Sequence, residues 1–578
     1  VKIRAAFVVL ALAHVACAAP SSYDGLTGGS KVDDAIAAPR PVSPVSVSMV
    51  ATSRPRFKWE LAGDATGAVV ELARTRAFDG DVRRFPASGR ELVVPEDLEP
   101  GIWFWRLVGR TADKHGTKPS VVWEVLVRGP AAHGSSDAPA GAIVDFNGDG
   151  LPDLLAGLVE HDDKARPGDP ADWPLIVAYP GTPDGSQDDG AGAKPFGVFD
   201  GDPQVDGQSL GGGIDVDGDG FTDVVHAGAD AFPTEAGPLY VTHVEYGSEK
   251  GFDMDRSNVL PFMNFGAFYP GVRPVLREAG DINGDGFGDI VAGGDDLGYV
   301  TFGTRSGPSA VLPLDPSPPG NHSRAIIAAF DADADGLGDV VIASSSILAG
   351  AGARRTHDPK KWAPFGGGLA RGAGAQPDPG TDLPSFHKGP AFAARGSADM
   401  RVNDGRGLKA TRATNLEADD ASASAFASGD FDGDGLSDVA VTLVSNGSSA
   451  VCVWFGSRES FMVEGPCVRG LAGDTRFGAE MTAGDLEGDG VDELVVSAVS
   501  AGPVMRAVRF TRDAAEATPV GPAGFGARLT TIWPGRPGKA RWAAASADGA
   551  SIAILEGTEV RQSIHKASWM TSLGTALR

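Results

Sequence analysis

Six times in this chain, acidic or amide side chains occupy positions 1, 3, 5 and 9 of a nine-residue stretch, with glycine at position 6. The copies supply Asp145, Asn147, Asp149 and Asp153; Asp215, Asp217, Asp219 and Asp223; and Asp281, Asn283, Asp285 and Asp289. Further along come Asp331, Asp333, Asp335 and Asp339; Asp430, Asp432, Asp434 and Asp438; and Asp485, Glu487, Asp489 and Glu493. Alternate residues of a tight loop point inward together, so positions 1, 3 and 5 offer three side-chain oxygens to one point. Glycine permits the sharp turn, and position 9 closes the shell. Hard oxygen donors in this number suit calcium, which takes six to eight oxygens at roughly 2.3–2.6 Å. Position 7 is apolar in every copy (Leu151, Phe221, Phe287, Leu337, Leu436 and Val491). That is expected of a residue that gives only its backbone carbonyl while its side chain turns to the core. Carboxylates held this close repel one another without a cation, so up to six calcium ions are expected. The fourth copy has Ala334 where the others have glycine at position 4, and the longer glutamates of the sixth make its geometry the least regular.

An EF-hand begins in the same way but needs glutamate at position 12 and flanking helices. Position 12 here is Ala156, His226, Ala292, Ile342, Val441 or Val496, so that reading fails. Apolar pairs such as Val224-Val225 and Ile290-Val291 follow position 9. They favour a buried strand, so each loop is expected to join two strands.

The 578 residues exceed one ordinary core. Abundant glycine (80 residues) and 42% hydrophobic residues suit many short strands joined by tight turns. Net charge is −26, of which six calcium ions would offset about 12. The remaining acidity argues against nucleic acid or an anionic membrane surface as partner.

The first 18 residues read as an export signal: Lys2 and Arg4, then a short apolar core from Ala5 to Ala13. Two cleavage readings stay open. Ala16-Cys17-Ala18 fits cleavage after Ala18, whereas His14-Val15-Ala16-Cys17 resembles a lipoprotein box that would make Cys17 the lipidated residue. Residues 19–41 have a tether's composition. Cys452 and Cys467 flank a predicted hairpin and could face one another in a disulfide, the alternative being two separate buried thiols.

Residues 42–128 read as a β-sandwich. Arg56-Phe57-Lys58-Trp59-Glu60 and Ile102 to Leu107 alternate, and Val121 to Val127 closes the unit. The pattern resembles fibronectin type III or related immunoglobulin-like modules. Residues 129–140 are rich in Gly, Ser and Ala and are expected to be a linker. Loop starts then recur 70, 66, 50, 99 and 55 residues apart, a period that points to a propeller or array. The 99-residue interval is expected to carry an insertion, Ser344 to Ser397, with the basic pairs Arg354-Arg355 and Lys360-Lys361.

Arg476-Phe477-Gly478-Ala479, followed by Ala483-Gly484-Asp485 and its loop, resembles the FG-GAP repeat of integrin α-subunit propellers and of many bacterial surface proteins. Ala279-Gly280-Asp281 and Ser428-Gly429-Asp430 match the same lead into the loop. Most copies lack the leading Phe-Gly. A last unit from Gly524-Phe525-Gly526-Ala527 keeps the strands without an acidic loop. The resemblance implies an all-β chain with a seven-bladed calcium-binding propeller over residues 141–570. It also implies a monomeric binding or adhesion module for a protein or glycan, on the cell surface or secreted, touching a membrane only through a lipid anchor. Because related propellers occur in polysaccharide lyases and phosphodiesterases, a calcium-dependent extracellular lyase or hydrolase is the alternative. Gly207-Gln208-Ser209-Leu210-Gly211 has nucleophile-elbow spacing but runs into a calcium loop rather than a helix. The ten histidines are scattered, and structural roles are expected for His226 and His357. No catalytic residue is expected.

Overall fold

The computed structural model describes residues 31–161, 172–187, 195–198, 210–229, 240–260, 275–278, 280–294, 297–308, 311–313, 325–344, 391–394, 422–445, 448–459, 461–470, 477–499, 503–535, 537–565 and 569–574. The signal segment with Cys17, most of the Ser344–Ser397 insertion, the Gly207–Ser209 part of the elbow-like stretch, Ala279 and Arg476 lie outside them. The described residues form an all-β chain with no helix, and none is long and apolar enough to cross a membrane.

Two sheets make up the N-terminal unit. The larger runs in the order Lys31–Val32, Lys114–Pro119, Gly101–Arg110, Trp123–Val127, Ser48–Ala51, Ser136–Ala142; Gly67–Ala73 also pairs with Gly101–Arg110 and carries Arg83–Ser88. The smaller is Arg40–Ser43, Arg56–Glu60, Glu91–Val93. Alternation in Arg56–Glu60 sends Phe57 and Trp59 inward. They share one apolar cluster with Trp103, Trp105 and Trp123 of the larger sheet. Trp105 sits 4.7 Å from Phe57 and 5.4 Å, edge-on, from Trp123. Offset and edge-on arrangements of this kind suit aromatic quadrupoles. The strand Gly101–Arg110 is buried on both faces, because Ile102 and Phe104 pack with Val47, Met49, Leu126 and Ile143 on the other side.

Two expectations are corrected here. The tether was expected to reach residue 41, yet Lys31–Val32 and Arg40–Ser43 are strands paired with Lys114–Pro119 and Arg56–Glu60. The linker 129–140 is not free either: Ser136–Ala142 pairs with Ser48–Ala51. Upstream, the Ala132 and His133 amides donate to the Gly490 and Gly433 carbonyls at 3.1 and 2.6 Å. Small and turn-forming residues mimic a linker in composition, but their backbone groups are as able to pair as any others.

The remaining described residues form a propeller-like succession of antiparallel meanders. In chain order, four-stranded sheets start at Leu210–Ile214, Val275–Glu278, Ser422–Gly429, Met481–Gly484 and Phe525–Trp533, and a three-stranded sheet starts at Ala325–Phe330. One further sheet joins Leu154–His161, Asp172–Tyr179 and Pro195–Val198 to Trp569–Gly574, so the two ends of the repeat region meet in a single sheet. These leading strands touch in sequence, and Trp569–Gly574 touches both Phe525–Trp533 and Leu210–Ile214, which closes a ring. Ring closure leaves only short edges exposed to other chains. Between sheets the core is apolar: Phe431, Val453, Phe455, Phe477, Leu494 and Phe510 share one cluster. Cys452 and Cys467 lie opposite each other on Ser448–Ser457 and Phe461–Arg469 and form a disulfide.

Candidate metal centres

Each acidic loop joins the first two strands of a sheet, or stands where a first strand would lead in, as in the copy at Asp145. One hydrogen-bond scheme recurs. In the second loop the Gly218 and Asp219 amides donate to Asp215 Oδ1 at 2.7 and 3.1 Å, and Gly220 donates to Oδ2 at 2.8 Å. Phe221 donates to Asp219 Oδ1 at 3.0 Å. The third loop repeats this with Asp281, Asp285 and Asn283 as acceptors. The first keeps the scheme at Asp145, Asn147 and Asp149 apart from the position-4 amide. Position 6 has φ between 83° and 95° in all six copies, the left-handed region in which glycine meets no Cβ penalty. Position 4 is also left-handed, and Ala334 adopts it at φ 57°, at a cost of about 1–2 kcal/mol for a residue with a Cβ.

Position 9 is held from two directions. Asp223 Oδ2 accepts from the Val216 amide at 2.8 Å, and Oδ1 accepts from the Gly247 amide, just past the third strand, at 3.0 Å. Asp153 with Gly181, Asp289 with Gly303 and Asp438 with Gly456 repeat this pin. A Cβ at Gly247 would lie 2.3 Å from the Thr222 carbonyl, so only glycine brings its amide this close. The sequence reading missed these glycines. Their signal was there: an aromatic residue one or two places before Gly-Ser/Thr recurs at Tyr179–Thr182, Tyr246–Ser248, Phe302–Thr304 and Phe455–Ser457.

Neighbouring loops are tied together. Position-8 amides Gly288, Gly338 and Asp492 donate to the position-1 carbonyls of the preceding loops, Asp215, Asp281 and Asp430, at 2.8, 3.0 and 2.9 Å. The Phe221 and Phe287 side chains were expected to turn to the core. Instead they cover Gly148 and Gly218 of the preceding loops.

Carboxylate oxygens of Asp215, Asp217 and Asp223 lie within 4.8 Å of one another, as do those of Asp331, Asp333 and Asp339 and those of Asp430, Asp432 and Asp438. Burial, reinforced by the Asp149 charge, lifts Asp145 to about 6. Burial, reinforced by Asp285, lifts Asp281 to about 7. Asp331 rises to about 8, again chiefly through burial, with Asp335 and Asp333 adding to it. Burial pushes Asp153, Asp215, Asp223, Asp289 and Asp438 well above the ordinary carboxylate range. Crowded, buried, oxygen-only donors fit a hard divalent cation, which would bind them ionised.

The sixth loop differs. The third strand of its sheet, Pro503–Phe510, ends in Phe510-Thr511, with no glycine to pin position 9. Glu493 Oε2 accepts from the Leu486 amide at 2.9 Å, while Oε1 accepts from the Arg509 guanidinium. Arg509 also donates to Asp489 Oδ2 at 2.7 Å and lies 3.6 Å from Glu487. Three of the four acidic ligand positions thus already face a fixed cation. At the fifth loop Arg512 reaches Asp432 and Asp434 at 2.7 and 3.3 Å, but it is itself 57% exposed.

The N-terminal unit rests on the loops. Arg76 donates to the Gly220 and Asp219 carbonyls at 2.9 and 3.3 Å and stacks 3.5 Å over the Phe221 ring. Trp123 Nε1 donates to the Gly218 carbonyl at 3.0 Å. The buried Glu124 carboxylate lies beside Asp145, and burial, then that charge, raises its pKa well above normal. Arg128 pairs with Asp492 at 2.7 Å and donates to the Pro534 carbonyl at 3.1 Å, with both side chains buried. A cleft of about 110 Å³ between the unit and the second and third loops is lined by Arg40, Trp123 and Phe287. It is small beside the roughly 300–1,000 Å³ of small-molecule sites.

No family profile matches this chain, and no curated protein matches it. Among solved structures, a protein from Lactobacillus plantarum aligns with 73% of this chain and 98% of its own, at 10% identity and a TM-score of 0.39. A quinonprotein alcohol dehydrogenase-like protein from Bacteroides thetaiotaomicron aligns with 94% and 99%, at 8% identity and a TM-score of 0.23. At such scores neither likeness carries an argument about function.

Proposed function

We propose that this chain is an exported, calcium-stabilised propeller of the FG-GAP kind, acting as a binding or adhesion module for a protein or glycan at the cell surface. It would be anchored through Cys17 or secreted. In this reading the ring has seven blades and the N-terminal unit is a fibronectin III-like sandwich. The sequential meanders, the sheet shared by both ends of the repeat region and the recurring loops support it. One observation carries the role given to calcium: the chain's own N-terminal unit covers the loops through Arg76, Trp123 and Arg128. Metal there would stiffen the ring and its junction with the N-terminal unit, and ligand would meet a surface away from the loops. When bound, calcium supplies the positive charge that lets the clustered carboxylates stay ionised.

A glycan panel and a pull-down from surface extracts, each with the calcium-loaded protein, test this reading. Saturable binding to one ligand class is expected, kept by the chelated protein below its lowered melting temperature and lost only when it unfolds. Turnover of a polysaccharide would overturn it in favour of an enzyme. Binding that disappears on chelation while the fold persists would place calcium in the recognition surface.

Arg509 makes the sixth loop the weakest calcium site. We expect about five ions on the wild-type chain and about one more on Arg509→Ala, because the oxygens of Asp489 and Glu493 are then released to metal. Metal analysis of the two proteins reads this directly. An unchanged count in a folded variant would show that Arg509 does not compete with calcium.

A further inference from the structure

Outside the loops, one group of side chains carries a different donor chemistry. His226 and His243 lie directly opposite each other on the strands Asp223–Ala229 and Tyr240–Tyr246. Glu245 follows His243 by two residues, so the period of a strand places it on the same face. The two imidazole rings stack with centroids 4.9 Å apart and planes 4° from parallel. His226 Nε2 is 3.3 Å from Glu245 Oε1. One ligand atom from each of the three side chains lies within 4.8 Å of the other two. His226 is fully buried and Glu245 is 4% exposed.

Two imidazole nitrogens and one carboxylate oxygen are not a calcium set. They are the borderline donors that bind zinc and its neighbours. A tetrahedral ion with bonds of about 2.0–2.1 Å holds adjacent ligand atoms about 3.3 Å apart, the separation of His226 Nε2 and Glu245 Oε1; the stacked His243 ring must turn out of parallel to aim its in-plane nitrogen at the same ion.

We propose that His226, His243 and Glu245 form a zinc-class metal site, separate from the calcium loops, with three protein ligands and a fourth position for water. The site fastens the second strand of its sheet to the third, three residues beyond the calcium-loop residue Asp223. It stands on its own geometry and does not depend on the calcium reading.

The full chain, loaded with calcium and stripped of transition metals, is titrated with zinc alone and with cobalt alone. The wild type is expected to take up one equivalent of zinc, with a raised melting temperature, and to give the visible absorption of tetrahedral cobalt. Glu245→Gln keeps the shape of the side chain and is expected to weaken zinc binding at least tenfold, and His243→Ala at least a hundredfold, with calcium content unchanged in both. No zinc uptake by the wild type, or equal uptake by wild type and a folded Glu245→Gln protein, would overturn the proposal. Octahedral cobalt spectra that persist in His243→Ala would do so as well, because the ion would then sit elsewhere.

Discussion

On the proposed reading of the loops, removing calcium is expected to lower the melting temperature of this protein by at least about 10 °C. Each site saturated at a hundredfold over its dissociation constant contributes about 2.7 kcal/mol, and loops joined from amide to carbonyl transmit the loss to their neighbours. The sign of the pH dependence reverses as well. Without metal, Asp145, Asp281 and Asp331 hold their protons to about 6, 7 and 8, whereas aspartates of the unfolded chain release theirs near 3.9. The folded state then binds more protons than the unfolded one, so stability falls as pH rises from about 4 through about 8. With calcium the ligands stay ionised in the fold, and stability is instead lost as pH falls. Thermal scans with calcium and with a chelator, at two pH values, check both statements. Equal melting temperatures in the two conditions would contradict them.

Arg128→Met destabilises the protein by about 3–5 kcal/mol, the usual cost of breaking a buried pair by removing one partner. Asp492 is 1% exposed, and its Oδ2 also accepts from the Asp430 amide at 3.0 Å. The substitution therefore strands a charge where the fifth and sixth loops meet. Adding Asp492→Asn removes the charge while keeping an acceptor for the Asp430 amide, and it is expected to recover much of the loss. A double-mutant cycle read by denaturant unfolding separates the pair from the packing. A single variant as stable as wild type would mean that the N-terminal unit does not depend on this anchor.

The loops were legible because their pattern is local: acidic side chains, turn glycine and following strand all lie within a dozen residues. The alternation of Phe57 and Trp59 was legible for the same reason. What the sequence hid was long-range. Arg128 and Asp492 are 364 residues apart, and nothing near either announces the other. Residues 129–140 have a linker's composition, yet their amides bond to Gly490 and Gly433, a pairing decided by where the ring places those loops. Arg509 reads as an ordinary strand residue until Pro503–Phe510 carries it beside the sixth loop. His226 looked structural because its partners, His243 and Glu245, lie on the next strand and are invisible to a search for closely spaced motifs.

Calcium in the recurring loops is what the proposed function rests on. Metal analysis of the purified full chain after dialysis against micromolar calcium tests it most directly. About five calcium ions per chain are expected, and chelation is expected to release them and lower the melting temperature. A calcium content near zero in a folded protein would contradict it.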